Sequence, residues 1–187
     1  MLSFADEDLL LGNFIGDYVK GKTWEDYPQG VQRGILLHRT IDSFTDNHPA
    51  TRETVNRIRP FAGRYAPPLV DILYDHLLCL QWDVFGPCPF DEFASWAYAH
   101  LDIRSAEFPG ALRKRWPHML TGRFLHGYRN SAGLGWVLQQ FNQRLDGRVE
   151  VGRLLPFFFE HLDLFLQDFN VFFPELAAQV QTERAGW

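Results

Sequence analysis

Between His38 and Asp46 the chain reads His-Arg-Thr-Ile-Asp-Ser-Phe-Thr-Asp, and a helix over this run sets His38, Asp42 and Asp46 one turn apart along a single row. An imidazole and carboxylates at that spacing can converge on one divalent ion. The same spacing serves a plain solvated salt-bridge face, so acids from elsewhere decide between the two. Asp17, closing Gly12-Asn13-Phe14-Ile15-Gly16-Asp17, and the pair Asp75-His76 are the groups a helical bundle would bring to this row. Oxygen ligands with one or two imidazoles suit Mn²⁺ or Mg²⁺ better than Zn²⁺. Such an ion polarises a phosphoryl oxygen and lowers the pKa of a bound water, which is the chemistry of phosphoester hydrolysis.

Rival chemistries find no support. Gly133-Leu134-Gly135 lacks a third glycine, a Lys-Ser/Thr pair and a preceding strand, so nucleotide-binding loops are excluded. There is no G-x-S-x-G elbow and no H-E-x-x-H helix.

The elements that must position these residues are helices almost throughout, by the period of the apolar residues. Asp6-Glu7-Asp8 opens a helix that carries Asp17 and ends near Lys20-Gly21. Gly12 and Gly16 give it a smooth patch, fit for a packed helix or for substrate. A second helix runs from about Gly30 to Asp46, its row Val31, Ile35, His38, Asp42, Thr45 passing from apolar to polar. Pro49 opens a third helix that closes at Pro60 to Gly63. Pro67-Pro68 precedes a long fourth helix, Leu69 to about Phe85, in which an unpaired Asp75 carboxylate would cost several kcal/mol. Further helices are expected from Phe90 through Leu101, Pro109 to Arg115, Pro117 to Arg129, Leu134 to Leu145 and Glu150 to Phe169. A closing helix follows Phe172-Phe173-Pro174 and ends near Arg184. No repeat or linker interrupts residues 1–187, so the expectation is one all-α domain.

At 187 residues, with 17 Phe and 6 Trp, the chain can build a thick aromatic core. A net charge of −5 excludes a general nucleic-acid binder. Basic residues do cluster locally, with Lys20 and Lys22 in one place and Arg52, Arg57, Arg59 and Arg64 in another. Two cysteines, Cys79 in an apolar run and Cys88 in a turn, form no metal pattern, and the chain reads as cytoplasmic. No apolar run is long enough to span a bilayer.

Three stretches carry a resemblance: Leu9 to Gly21 (LLLGNFIGDYVKG), Gly34 to Asp46 (GILLHRTIDSFTD) and Asp71 to Leu78 (DILYDHLL), with a similar closing Phe172-Phe173-Pro174. Their order and spacing resemble the acyl carrier protein phosphodiesterase family over essentially the whole chain. The resemblance implies an HD-domain-like helical bundle that hydrolyses the phosphodiester joining 4′-phosphopantetheine to the serine of holo-acyl carrier protein, with Mn²⁺ or Mg²⁺. Carried over by motif, Asp17, His38, Asp42, Asp75 and His76 would be ligands or catalytic groups. Arg39 would contact phosphate, and the general base would be Asp17 or Asp42. Family members open on a segment of the M-N-F/Y-L-A-H kind ahead of the stretch matching Leu2-Ser3-Phe4, so the chain is expected to start inside it and to lack its histidine. The order Asp75-His76 also reverses the pair that names HD domains.

An acidic carrier protein calls for a locally basic docking face, and Arg57, Arg59 and Lys20 flank the proposed site in sequence. Trp24, Trp136 and Trp187 leave room for a homodimer. Two other readings fit the residues alone: a phosphohydrolase acting on a nucleotide or another small phosphoester, and a non-catalytic helical binding module in which the Asp/His row is polar packing.

Overall fold

Asp6 caps the first helix by accepting the Leu9 amide at 2.9 Å, and Glu7 and Asp8 complement the helix dipole in its first turn. The computed structural model describes residues 1–187, and it is all-helical, with no strand. The α-helices are α1 (Glu7–Ile15), α2 (Gln29–Asn47), α3 (Pro49–Ala62), α4 (Ala66–Leu80), α5 (Trp82–Phe85), α6 (Phe90–Ile103), α7 (Gly110–Thr121), α8 (Phe124–Gly127), α9 (Ser131–Gln143), α10 (Val151–Glu160) and α11 (Leu162–Ala185). No helix is long and apolar enough to cross a membrane.

Several boundaries differ from the sequence reading, each for a local reason. The first helix stops at Ile15, and Gly16–Tyr18 form a 3-10 turn, so Asp17 lies outside it. The fourth helix starts at Ala66, with Pro67 and Pro68 in its first turn, where a missing N–H costs nothing. The expected break at Trp116-Pro117 is absent, because α7 continues through Pro117 with Trp116 buried. The expected long helix from Glu150 instead breaks at His161. By contrast α11 runs on through Pro174, flanked by the buried Phe172, Phe173 and Leu176. Side-chain burial there outweighs the hydrogen bond that proline removes.

The chain divides into two compact units. The first comprises Met1–Ser43, Asp83–Phe124 and Ala177–Trp187, with α1, α6, α7 and most of α2. Leu9, Leu11, Ile15, Ile35, Leu37 and Ala94 are buried within it. Within it α1 and α2 cross in close contact. A Cβ on Gly12 would come within 2.1 Å of the Val31 carbonyl oxygen, and one on Gly34 within 2.7 Å of the Leu9 carbonyl oxygen. The two backbones therefore touch. The smooth patch foreseen at Gly12 is a helix-packing groove.

The second unit comprises Phe44–Trp82 and Leu125–Leu176. Leu69, Leu73, Leu77, Phe158, Phe165 and Phe169 are buried in it. His48 caps α3 by accepting the Ala50 amide on Nδ1 at 3.3 Å, so its proton sits on Nε2 and is donated to Glu175 at 3.2 Å. The Tyr74 hydroxyl donates to Thr54 Oγ1 at 3.0 Å, and Thr54 in turn donates to Asp168 at 2.9 Å. Arg57 completes this chain as the ion-pair partner of Asp168, with its guanidinium 5.3 Å from the Phe165 ring centroid.

Replacing Gly34 by Ala tests the crossing. Alanine raises intrinsic helix propensity by up to about 1 kcal/mol, whereas overpacking against α1 costs roughly 1–3 kcal/mol. Urea denaturation of Gly34→Ala should therefore show a net loss of stability, and a gain would mean that the helices do not meet at this residue.

Candidate active site

His38 and Asp42 stand one turn apart on α2, as their spacing foretold. Asp17 reaches them from the 3-10 turn that follows α1. His38 Nε2 lies 3.3 Å from Asp17 Oδ1 and 3.2 Å from Asp42 Oδ2. The imidazole is largely shielded at 18% exposure, while the carboxylates stand at 76% and 57%. Gly16 makes room for the ring, since a Cβ there would fall 2.4 Å from His38 Cδ2.

The electrostatics follow from one nitrogen facing two acids. Burial works to lower the His38 pKa, but hydrogen bonds to Asp17 and Asp42, backed by their charges, push it up to about 9. The bond to His38 holds the Asp17 carboxyl below its usual range against the opposing effect of burial, helped by the charges of His38 and Lys20. Without a metal, a single Nε2 proton is shared between two oxygens at distances longer than the roughly 2.7–2.9 Å of a good charge-assisted bond.

The same three atoms fit an ion. All the ligand atoms of Asp17, His38 and Asp42 lie within 4.8 Å of one another. Neighbouring donors in an octahedral shell with bonds of about 2.1 Å are separated by about 3 Å, close to the two spacings seen at Nε2. Three protein ligands, two of them hard oxygens open to solvent, leave positions for water and substrate. Gly16, Asp17, Val19, Lys20, Gly21, His38, Arg39 and Asp42 line an open depression of about 360 Å³ around them.

The other foreseen residues are placed differently. Asp75 and His76 belong to the second unit and are not members of this cluster. Asp75 is exposed. The buried residue of the pair is His76. Its Nδ1–H donates to the Tyr128 carbonyl at 2.6 Å, Phe158 and Phe159 flank the ring, and burial lowers its pKa. Arg57, expected on a docking face, is committed to Asp168. Arg59 is exposed and lines a second-unit cavity of about 440 Å³ with Arg52, Asn56 and Asp71. Arg39 sends Nη2 to the carbonyl oxygens of Gly21 at 2.9 Å and Val19 at 3.4 Å. Gly16 and Val19, which shape the depression, carry no chemical signal in sequence. Cys79 and Cys88 are free thiols, and burial together with the charge of Asp75 pushes Cys79 up to about 12.

An imidazole held between two exposed carboxylates, in a depression that also offers Lys20, is an arrangement that suits phosphate-ester hydrolysis. Comparison with known proteins narrows this to one family: the acyl carrier protein phosphodiesterase model matches residues 1–176, and the chain belongs to that family. The acyl carrier protein phosphodiesterase of Enterobacter sp. (strain 638) is 28% identical over 187 residues, covering 98% of this chain and 95% of the relative. Those of Salmonella paratyphi A (strain ATCC 9150 / SARB42) and Salmonella newport (strain SL254) are each 28% identical over 182 residues, or 95% of this chain and 93% of theirs. No solved structure is significantly similar to the chain.

The raised His38 pKa has a thermodynamic consequence in metal-free protein. Because the folded value lies above the unfolded one, the stabilisation is complete below pH 6.5 and is lost as pH rises through about 9. With chelator present, the melting temperature of the native chain minus that of His38→Gln should shrink across this window. A difference that stays flat would show that the imidazolium is not held by the two acids.

Proposed function

We propose that this chain hydrolyses the phosphodiester joining 4′-phosphopantetheine to the carrier serine of holo-acyl carrier protein, and that Asp17, His38 and Asp42 hold the Mn²⁺ or Mg²⁺ this requires. The observation that carries the reading is the convergence of Asp17, His38 and Asp42 at one exposed point beside Lys20. When bound, the ion supplies positive charge to a phosphoryl oxygen and acidity to a water in its open positions.

The chain's own groups do the rest. His38 would hold the ion through a neutral Nε2, so ion binding and protonation of His38 would compete. Two carboxylates and a neutral imidazole balance one divalent charge, so Lys20 is left to answer the negative phosphodiester. The Asp17 carboxyl, kept below its usual pKa, stays ionised through the neutral range. Asp17 and Asp42 are the two exposed carboxylates able to accept a proton from the attacking water. Because the chain is acidic overall, recognition of an acidic carrier protein falls to local cations, Lys20 at the depression and Lys22 two residues further along the chain.

The test is incubation with holo-acyl carrier protein and Mn²⁺, followed by mass spectrometry for loss of phosphopantetheine. His38→Ala and Asp42→Ala should each slow turnover by at least about 100-fold while circular dichroism shows the helical fold retained. Full activity in either variant would move the site elsewhere. Lys20→Glu should raise KM for holo-carrier protein by about tenfold, the worth of one contact to a charged group. Turnover of small phosphodiesters with no preference for carrier protein would favour a small-molecule phosphohydrolase instead.

A further inference from the structure

Asp17 is the least secured member of the cluster. It projects from a one-turn 3-10 segment, it is 76% exposed, and its own hydrogen bond is a single 3.3 Å contact to His38. Something other than the carboxylate must therefore fix its position. The turn is closed within itself by the Val19 amide on the Gly16 carbonyl at 3.1 Å, and Gly21 then reverses the chain with φ of +57°. That reversal favours a glycine. It leaves the Val19 and Gly21 carbonyls available to one guanidinium, that of Arg39, which reaches both through Nη2. Arg39 directly follows His38 on α2. Two consecutive residues of the helix therefore grip the same turn, His38 by the Asp17 side chain and Arg39 by its main chain.

We infer that Arg39 is a positioning residue: by binding the Val19 and Gly21 carbonyls it holds the Asp17-bearing turn against α2 and so completes the Asp17–His38–Asp42 set. This rests on the reading of that set as the ion-binding site. The phosphate contact expected of Arg39 from sequence would need the same guanidinium to turn from these carbonyls or to act through its remaining N–H groups.

The two roles separate by measurement. In Arg39→Ala the Mn²⁺ dissociation constant, followed by calorimetry without substrate, should rise about tenfold or more, as is usual when an outer-shell support is lost. Amide exchange at Val19 and Thr23 in metal-free protein should quicken while the melting temperature stays close to that of the native chain. In an Asp17→Ala background, Arg39→Ala should add nothing further to the loss of Mn²⁺ affinity, because both changes remove the same ligand. Arg39→Lys keeps the charge without the planar fork and should not restore affinity. Unchanged Mn²⁺ affinity and exchange, with a raised KM that Arg39→Lys repairs, would overturn the inference in favour of a phosphate contact. If the native chain itself binds no Mn²⁺, the ion-site reading fails. The exchange rates of Val19 and Thr23 then still decide whether Arg39 fastens the turn.

Discussion

Direct backbone contact between α1 and α2 is the constraint from which the site follows. Gly12 and Gly34 allow the helices to approach until a carbonyl oxygen of one occupies the place where a side chain of the other would stand. A wider separation would carry the turn at Gly16–Tyr18 away from α2, and Asp17 would lose His38. Gly16 repeats the device just past the end of α1, where the neighbour it admits is the imidazole itself.

The sequence spoke clearly about whatever depends on local period. The i, i+4 spacing of His38 and Asp42 placed both on one face of α2, and the structure keeps them 3.2 Å apart. Asp17 was legible as a candidate through its motif, but its geometry was not, because the helix ends at Ile15, about five residues early, where Gly16 packs against a residue on another helix. Asp75-His76 shows the opposite limit. An acid and an imidazole adjacent in sequence lie about 100° apart around a helix, so one faces solvent and the other the Phe158–Phe159 side of the core. Arg57 looked like a surface charge in a basic cluster. Its partner Asp168 lies more than a hundred positions away, and no local pattern announces such a pair.

Proline was the least reliable guide to the helices. Pro49 and Pro67-Pro68 lie at helix starts, where a fixed φ and a missing N–H cost nothing. Pro60, Pro117, Pro156 and Pro174 lie inside helices that continue past them. Around the interior prolines, neighbours such as Trp116, Phe158 and Phe172 are buried, and that tertiary packing is not encoded in turn chemistry. The all-α class survived every one of these shifts because it rests on the summed period of many segments rather than on any one stop signal.

The connector between the Asp17 turn and α2 is where the fold is least constrained. Its 3-10 segment Thr23–Asp26 buries no residue, and Gln32 ties it down only by reaching the Glu25 and Tyr27 carbonyls. Both ends are fixed independently of it, one by the glycine crossing and the other by the helix that bears His38. All this segment has to do is close the chain, and closure entropy grows so slowly that doubling a loop costs only about 0.6 kcal/mol. The length and composition of Thr23–Asp26 are thus free variables, and here the fold has room for insertions that reshape the approach to the depression without moving Asp17, His38 or Asp42.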